Sequence, residues 1–548
     1  MPDRLSAREV LALVADADSF RELPSPPGES LPDGPLGWQG YDASRARAAE
    51  RTGERESVVC GTASVTGTRA VLIAFEFGFL GGSLGERTGD RLVAAYTRAR
   101  EHRLPVVPLI ATGGSRMQEG MLALTQLQRV ARQSALTRAV GLPQIAVLRD
   151  PTTGGGWATL GAGADVVLAL PDAQVGFAGS RVRPPGADPS AYTAQAQVAA
   201  GSADAVVPVR DLRATLGRWL ALLTNRPAPA SPGAGAAGAP AASANNADPS
   251  SGTAGTGSAA GPGPAADTPP GTPAGSAPGG EGALGGSAGT GPVVPANSAD
   301  PASGTAGSAG GAGVGGGPAP VPFALGAVGL PVTGWDAVGR ARAPKRPRAR
   351  AYLDAYFTYR VLISGDRCGG SDPDGMLCGF GERDGRTVAY AAQTGTATRP
   401  AGYRTAARLI RLADRLGIPV LTLVDTPGAA NGAEAEREGA GAAIAEVFGA
   451  VAAARVPVTT LVIGEGGSGG ALALAAPGNT WATPDSYFSV IAPELAAAIL
   501  KRPPGEVRAT ADQLRIRPQD LVELGVVRGV VEPADRPRAR TTAPPPPG

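Results

Sequence analysis

Residues 464–475 read GEGGSGGALALA, in which five glycines within seven positions lead directly into small, helix-forming residues. They follow PVTTLVIGE, a run with the length and continuous apolar character of a buried strand. Glycines at a turn from a strand into a helix let a bound group approach the backbone closely. Because the first N–H groups of a helix have no partner within it, such a turn is suited to hold negative charge.

The pattern of residues around this stretch occurs twice in the sequence. When the second half is shifted back by 314 positions, matching residues align from 105 to 156 without a gap. The aligned pairs are Pro105 with Pro419, Leu109 with Leu423, Thr112 with Thr426, Gly114 with Gly428, Pro143 with Pro457, Gly155 with Gly469 and Gly156 with Gly470. We interpret this as an internal repeat of a whole domain. TTGGGWATLGA of the first half is then the counterpart of the opening stretch.

Each copy has the predicted order strand, helix, strand, helix, strand. The strands are expected at 70–77, 104–111 and 143–150 in the first half and at 387–394, 418–425 and 457–465 in the second, with amphipathic helices at 91–101 and 403–416. The third strand of each copy ends at a glycine cluster. Continuous apolar strands that alternate with helices predict a parallel α/β core in each half.

Composition separates these two halves. From 227 to 321 there is no aromatic residue, no lysine and no arginine in a background of Ala, Gly, Pro, Ser and Thr. Such a segment buries too little apolar surface to offset the entropy of ordering it. We therefore predict a flexible N-terminal segment (1–36), a first domain (37–225), a disordered linker (226–321), a second domain (322–540) and a flexible tail (541–548).

Charge and hydropathy give no sign of nucleic acid or membrane as partners. The net charge is only +2, which provides no general attraction to either. Residues 340–350 carry six positive charges, and we interpret them as a solvated lead-in to the second domain, with an acidic-partner or phosphate site as the alternative. No apolar run approaches the ~18 residues of a membrane span, and the N-terminus lacks a signal-peptide pattern. We expect a cytoplasmic protein.

The rare reactive residues exclude several kinds of site. Cys60, Cys368 and Cys378 make no disulfide framework, and with His102 as the single histidine they do not form a zinc site of the usual spacing. No bound metal is expected. His102 stands in a charged stretch typical of a helix end, which argues against a Ser-His-Asp or Cys-His mechanism. Neither of the two lysines belongs to a P-loop motif.

The sequence also limits the kinds of ligand that the glycine turns could bind. GxGxxG spacing is not met cleanly in either half, and no acidic residue follows at the distance that a dinucleotide ribose requires. An oxyanion formed from a carbonyl is a better candidate than a phosphate, because two N–H groups stabilise it without a side-chain base. The remaining interpretation is a tight turn with glycines for packing alone, which two matched copies make less attractive.

The quoted residues resemble the carboxyltransferase component of acetyl-CoA carboxylase, a member of the crotonase-like superfamily. The first half is similar to its beta subunit through ERTGERESVV, FEFGFLGGSLGERTG, TGGSRMQEGMLAL, VLRDPTTGG and VGFAGSRV. The second half is similar to its alpha subunit through ISGDR, PAGYRTAARLIRLADRLGIPVLTLVDTPGA, VIGEGGSGGALAL and YFSVIAPELAAAIL. The motifs cover most of residues 50–182 and 364–500.

The resemblance implies an α/β fold of two tandem crotonase-like (ββα spiral) domains joined by a long disordered linker, with an active site between halves of different protomers. It implies transfer of a carboxyl group from carboxybiotin on a separate carrier protein to the α carbon of an acyl-CoA. Acetyl-CoA is the expected acceptor, and the product would be malonyl-CoA for fatty acid or polyketide synthesis. Two oxyanion holes are implied, one for the thioester enolate and one for the ureido oxygen of biotin.

Carried over residue by residue, the resemblance places the alpha-type hole at Gly469 and Gly470 and the beta-type hole at Gly154 and Gly155. The internal repeat instead pairs Gly155 and Gly156 with the alpha-type glycines, so the register of the GGG run stays open. A valine at position 470 is expected to abolish transfer while leaving the fold mostly intact. The residues expected to bind substrate are Gly81, Gly82, Gly113, Gly114, Arg116, Asp425, Gly428, Gly466 and Gly467.

The expected partners follow from what the sequence does not contain. A biotinylated carrier needs a lysine in a Met-Lys context, and biotin carboxylation needs an ATP-binding domain; the sequence shows neither. A biotin carboxyl carrier protein and a biotin carboxylase subunit are therefore expected in trans, and the resemblance implies a homo-oligomer. Departures from the family include the absent four-cysteine zinc ribbon, RPPGADPS after FAGSRV, and Ala430 and Asn431 after DTPGA.

Two other functions stay open at this point. A biotin-independent acyl-CoA decarboxylase of the same superfamily would use the same oxyanion hole for the enolate that remains after carbon dioxide leaves. A non-catalytic assembly paralogue would dock through residues 340–350. The two intact glycine pairs argue against the second of these.

Overall fold

A computed structural model describes residues 4–28, 31–225 and 317–533 of the chain. The predicted linker lies outside these ranges except for residues 317–321, and the predicted tail lies wholly outside them. The first half and the second half belong to one compact unit.

Helices and strands alternate along each half. The helices of the first half are α1 (Ala7–Val14), α2 (Tyr41–Thr52), α3 (Glu86–His102), α4 (Gly120–Ala139), α5 (Gly154–Gly156), α6 (Ala194–Ala199) and α7 (Leu212–Thr224). Its strands are β1 (Arg21–Glu22), β2 (Val58–Val65), β3 (Thr68–Phe75), β4 (Val106–Thr112), β5 (Ile145–Thr153), β6 (Val166–Ala169), β7 (Val175–Gly176) and β8 (Ala205–Val206).

The second half repeats this alternation. Its helices are α8 (Gly334–Arg342), α9 (Ala349–Tyr356), α10 (Pro400–Leu416), α11 (Ala433–Arg437), α12 (Ala440–Ala453), α13 (Ser468–Leu472), α14 (Pro493–Ile499), α15 (Val507–Gln513) and α16 (Pro518–Glu523). Its strands are β9 (Tyr359–Ile363), β10 (Met376–Arg383), β11 (Arg386–Gln393), β12 (Val420–Thr426), β13 (Val458–Gly467), β14 (Thr480–Ala482) and β15 (Tyr487–Ser489).

The two sheets confirm the predicted repeat. In the described part of the chain, the first sheet has the order β1-β2-β3-β4-β5-β6-β8 and the second has β14-β13-β12-β11-β10-β9, while β7 and β15 pair with β5 and β13. Pairing is parallel from β3 to β6 and from β11 to β14, and an antiparallel strand precedes each set. Every residue of β4 and of β12 is buried, as expected of parallel strands covered on both faces.

The 314-residue offset also holds at the level of single residues. Near its end β4 shifts register against β5 and pairs Thr112 with Thr152, and β12 does the same against β13 with Thr426 and Gly466. The next turns match too, because the N–H of Gly114 donates to Thr112 Oγ1 at 3.0 Å and the N–H of Gly428 donates to Thr426 Oγ1 at 3.1 Å. The repeat therefore extends into the loops that leave the sheet.

Two predicted boundaries need correction. Within the segment 1–36 that was predicted to be flexible, α1 is ordered: it packs its apolar face on the first sheet and buries Ala7, Val10, Leu11 and Val14. Its start is fixed by a capping box between Ser6 and Glu9. The second domain begins before residue 322, because Ala319 is buried and its carbonyl accepts a hydrogen bond from Thr459 Oγ1 at 2.9 Å.

The basic segment 340–350 is not a solvated lead-in. Arg340 pairs with Asp336 on α8, and Arg342 pairs with Glu465 and Glu494. Arg346 is buried and pairs with Asp425, and Arg348 lies 3.6 Å from the same carboxylate. Four of the six positive charges of the segment are therefore paired with acidic side chains of the second half, which weakens the case for a docking role, although Lys345 and Arg350 are exposed.

Helices α4 and α12 join the two halves. Gly441 of α12 lies so close to Trp157 that a side-chain carbon at 441 would stand 2.0 Å from the indole nitrogen. From α4, Gln128 donates to the carbonyl of Ala475 at 2.8 Å and Arg132 donates to the carbonyl of Ala452 at 2.7 Å. This packing brings the carboxyl ends of the two parallel sheets to opposite sides of one cleft.

Candidate active site

The cleft between the halves has a volume of about 1500 Å³. Its walls include the loops that follow β4 and β5 in the first half and β12 and β13 in the second. Ligands of parallel α/β folds bind at the carboxyl ends of the strands, which is where this cleft lies. The volume exceeds that of an ordinary small-molecule pocket, so the cleft has room for more than one bound group.

The first glycine turn joins β5 to α5. Gly154 has φ +68°, a left-handed conformation that favours glycine. A side-chain carbon there would lie 3.1 Å from the Cα of Gly114, so the two loop backbones approach closely. Gly154 and Gly155 both line the cleft, and the helical backbone continues through the single π turn Trp157–Gly161.

The second glycine turn joins β13 to α13. Ser468 has φ +56° and stands at the position that Gly154 occupies in the first half. Ser468 and Gly469 line the cleft together with Gly428 of the preceding loop. The matched left-handed residues show that the turns follow the register of the internal repeat, in which Gly155 corresponds to Gly469 and Gly156 to Gly470.

Gly156 and Gly470 lie behind the cleft wall. A side-chain carbon at 156 would stand 2.5 Å from Thr112 Cγ2, and one at 470 would stand 2.5 Å from the backbone nitrogen of Ala429. The carbonyl of Gly470 accepts hydrogen bonds from Tyr403 Oη at 3.0 Å and from Gln393 Nε2 at 3.2 Å. Valine at position 470 would therefore disturb packing as well as chemistry, contrary to the expectation that the fold would stay mostly intact.

Two side chains lie between the turns. A carbon added at Gly155 would stand 2.3 Å from Leu127 Cδ1, and one added at Gly469 would stand 3.7 Å from the same atom. The ring of Phe177 lies 3.6 Å from the latter position. Leu127 and Phe177 both line the cleft, so the space that separates the turns is apolar.

Comparison with known proteins agrees with this geometry. Residues 38–184 match the family described as carboxyl transferase domain, and residues 330–541 match the family described as acetyl co-enzyme A carboxylase carboxyltransferase-like. The chain is 36% identical over 554 residues to acetyl-coenzyme A carboxylase carboxyl transferase subunits beta/alpha of Salinispora arenicola (strain CNS-205), covering 97% of this chain and 83% of that protein. The chain belongs to the beta/alpha carboxyltransferase family.

Two more distant relatives are also similar. The probable biotin-dependent acyl-coenzyme A carboxylase beta3 subunit of Mycobacterium bovis (strain ATCC BAA-935 / AF2122/97) is 29% identical over 505 residues, which cover 90% of this chain and 83% of that protein. The structure of the transcarboxylase 12S hexamer with hydrolysed methylmalonyl-coenzyme A is 19% identical and covers 97% of this chain and 87% of that chain, with a TM-score of 0.34. Family membership makes the protein an enzyme, a carboxyltransferase, and the parallel sheet in each half confirms the predicted fold class of two tandem α/β domains.

The carboxyltransferase places some of the expected substrate-binding residues on the cleft and others behind it. Gly81, Gly113, Gly114 and Gly428 line the cleft. Gly82, Gly466 and Gly467 lie against other backbone or ring atoms, where a side-chain carbon would approach within 2.6 Å or less. These three glycines permit close packing around the loops.

Arg116 borders the cleft, but its guanidinium is only 1% exposed. It donates to Glu56 at 2.5 Å and to Glu119 at 3.3 Å. Burial opposes both charges, yet Glu56 raises the pKa of Arg116 and Arg116 lowers the pKa of Glu56. Through these pairs the guanidinium holds the TGGSRMQE loop in place.

Asp425 is fully buried behind the second turn. Its Oδ1 accepts from Arg346 at 2.5 Å and from the N–H of Glu465 at 3.2 Å. Burial raises the pKa of Asp425, and Arg346 acts in the opposite direction. The carboxylate therefore anchors the basic segment and β13, and it supports the cleft indirectly.

Sequence reasoning missed several cleft residues. Ser468 stands inside the quoted glycine stretch, and its match with Gly154 in the repeat was the available signal. Leu127 carried no such signal, because an apolar side chain on a helix is not distinctive. Phe177 lies in the quoted VGFAGSRV motif and Asn431 is one of the quoted departures from the family, but neither was assigned to the site. The expectation of a site between halves of different protomers stays a prediction; within this chain both glycine turns line the same cleft.

The described ranges, 4–28, 31–225 and 317–533, contain neither a candidate metal centre nor a helix that could span a membrane. No group of three or more His, Cys, Asp or Glu side chains in them is placed to hold a metal ion. Cys60 and Cys378 are buried, Cys368 is exposed, and all three are free thiols. No helix within the same ranges is long and apolar enough to cross a bilayer.

Proposed function

We propose that the cleft transfers a carboxyl group between carboxybiotin on a separate carrier protein and the α carbon of a short acyl-CoA, with acetyl-CoA as the acceptor. The observation that carries this proposal is the pair of matched strand-to-helix turns that open onto one cleft. Family membership and the identity to beta/alpha subunits of acetyl-CoA carboxylase support the choice of substrate.

The backbone of the two turns would perform the electrostatic work. Gly154 and Gly155 on one side, and Ser468 and Gly469 on the other, stand at helix starts where N–H groups lack helical partners. One pair would bind the enolate oxygen of the thioester and the other the ureido oxygen of biotin. A donor aimed at such an oxygen typically contributes about 3–4 kcal/mol to the transition state. Bound carboxybiotin supplies the carboxyl group itself.

The residues present fit a bulky uncharged ring system better than a phosphate. The space between the turns is bounded by Leu127 and Phe177, and three of the four turn residues have no side chain. Apolar walls also exclude water, which strengthens each hydrogen bond to a developing charge. The chain itself needs to supply no general base, in agreement with His102 being at the end of α3, away from the cleft lining.

The proposal also includes the partner proteins, the compartment and the oligomeric state. A biotin carboxyl carrier protein and a biotin carboxylase would act with the chain in the cytoplasm, and the chain would form a homo-oligomer. Support for the oligomer comes from β9, a sheet-edge strand on which Tyr359, Val361 and Leu362 are more than half exposed. Sedimentation of the purified chain at several concentrations tests this point.

The reverse reaction tests the function most directly. Malonyl-CoA and methylmalonyl-CoA are incubated separately with the chain, with and without free biocytin, and the acyl-CoA products are measured. Biocytin-dependent loss of the carboxyl group is the expected result, with malonyl-CoA the better substrate. Carbon dioxide release without biocytin would instead identify a decarboxylase, and no reaction with either substrate would refute the proposal.

A further inference from the structure

Glu436 is a buried carboxylate that links the two halves next to the cleft. It lies on the short helix α11 of the second half and is 1% exposed. Its Oε1 accepts hydrogen bonds from the N–H groups of Phe177 at 2.6 Å and Ala178 at 3.2 Å, both in the first half. A single oxygen therefore holds two consecutive peptide groups of a cleft-lining loop.

The held segment touches the second glycine turn. Phe177 and Ala178 line the cleft directly after β7. The Phe177 ring lies 3.6 Å from the position of a side-chain carbon at Gly469. A shift of the Phe177 backbone would therefore change the width of the cleft at this turn.

Other contacts between the halves surround this link. Tyr192 Oη donates to the carbonyl of Asn431 at 2.8 Å, Asn431 Nδ2 donates to the carbonyl of Val182 at 3.4 Å, and Arg437 pairs with Asp188. These contacts attach the loop from both sides of α11. Glu436 lies in their middle and is the member that reaches the cleft wall.

The carboxylate has more hydrogen-bonding capacity than it uses. Its Oε2 is buried and makes no hydrogen bond to any residue that the structure describes. Burial raises the pKa of Glu436 to about 7. The two N–H groups act in the opposite direction and favour the charged form, as do Arg183 and Gln197. The other titratable or charged groups around it are Tyr192, Arg437 and Asp188. A buried carboxylate with a free oxygen is costly, and a structural link alone does not require one.

We propose that Glu436 is a positioning residue for the acyl group: through the main chain of Phe177 and Ala178 it holds the Phe177 ring against the turn at Gly469, and so sets which acyl chains the cleft accepts. This inference rests on the proposed function, because it assigns a specificity role within the same cleft. Charge-assisted hydrogen bonds are shorter and stronger than neutral ones, so the ionised form holds the loop more firmly.

The experiment compares Glu436→Gln, Glu436→Asp and Glu436→Ala with the matched control Glu434→Gln. Glu434 is on the same helix, but its side chain is 78% exposed and pairs with Arg399 at the surface. Acetyl-, propionyl- and butyryl-CoA carboxylation is measured with carboxylase and carrier supplied, and kcat and KM are separated. A displacement of about 1 Å lowers rates about 100-fold, and one methylene changes selectivity about 10- to 200-fold.

We expect Glu436→Ala to lower kcat/KM for acetyl-CoA by about 10- to 100-fold and to reduce the preference for acetyl- over butyryl-CoA by about 10-fold. In the unmodified chain kcat/KM is expected to rise with pH through about 7, as the carboxyl group ionises. Glu436→Gln removes this inflection and Glu434→Gln retains it. Phe177→Ala should change the acyl preference in the same way and add little to Glu436→Gln.

Binding separates failure of this inference from failure of the proposed function. If the unmodified chain transfers no carboxyl group, the dissociation constants of acetyl- and butyryl-CoA are measured by calorimetry for the same variants, and loss of chain-length discrimination in Glu436→Gln would still support the inference. If Glu436→Ala does not fold, Glu436→Gln and Glu436→Asp provide the comparison. Variants with unchanged acyl preference and pH profile but lower thermal stability would overturn it.

Discussion

Gly155→Ala is expected to displace the first glycine turn by collision with Leu127. The new carbon would lie 2.3 Å from Leu127 Cδ1 and 2.6 Å from Cδ2, whereas non-bonded carbons rest about 3.5–4.0 Å apart. Leu127 is fully buried in a close-packed interior. The turn must therefore move by about 1 Å to restore an ordinary separation.

The size of the effect follows from two contributions. Overpacking of a buried site costs about 1–3 kcal/mol in the free energy of unfolding. Misplacing a donor of the proposed oxyanion hole would cost about 3–4 kcal/mol in the transition state, which corresponds to a rate loss of about 100- to 1000-fold. Gly155→Ala should therefore lower both the stability and the rate.

The assay pairs urea unfolding with biocytin-dependent loss of malonyl-CoA. Gly469→Ala is the matched control for stability, because its new carbon has no neighbour closer than 3.6 Å, and its unfolding free energy should change by less than about 0.5 kcal/mol. Adding Leu127→Ala to Gly155→Ala removes the colliding atoms and should recover part of the lost rate. Equal stability of Gly155→Ala and Gly469→Ala, or no recovery in the double variant, would refute the reasoning.

The remaining predictions concern stability. Arg346→Leu leaves Asp425 buried with Arg348 at 3.6 Å as its remaining ion-pair partner, so the unfolding free energy should fall by about 3–5 kcal/mol. Arg340→Leu breaks a partly exposed pair with Asp336 and should cost less than about 1 kcal/mol; similar losses in the two variants would contradict the argument. The pKa of Glu436 is raised to about 7 in the folded chain. The folded state therefore binds more protons than the unfolded state between about pH 4.5 and 7. Because of this group, the free energy of unfolding should fall with rising pH by up to about 1.4 kcal/mol per pH unit. Glu436→Gln should reduce that slope in urea titrations across this range, and an unchanged slope would show that the carboxyl group is not protonated.

Much of the fold was visible in the sequence because its strongest signals are local. Continuous apolar runs bounded by proline and glycine marked β4, β5, β12 and β13 close to their observed ends. The N-terminal helix was missed although SARE at residues 6–9 spells a capping box before an apolar run. That signal was present, but the general tendency of chain termini to be poorly ordered led to the opposite prediction.

The site was harder to predict because its details depend on pairs that are distant in sequence. Three identical glycines at 154–156 gave no register, and only the left-handed backbone shared by Gly154 and Ser468 supplied it. Asp425 was expected to bind substrate because it opens the DTPGA motif of the family resemblance, and its ion-pair partner, Arg346, lies far from it in sequence. Glu436 gave no signal at all, since the groups that it holds are backbone N–H groups of the other half.

Leu127, on helix α4, lies between the two glycine turns and so determines how far apart they are. Its Cδ1 atom lies beside the positions that side chains would take at both Gly155 and Gly469. Helix α4 therefore fixes the separation of the two glycine turns, which are matching parts of the internal repeat. A change in the length of that single side chain moves one turn relative to the other. Under the proposed function, the length of this one side chain sets the distance between the carboxyl donor and its acceptor.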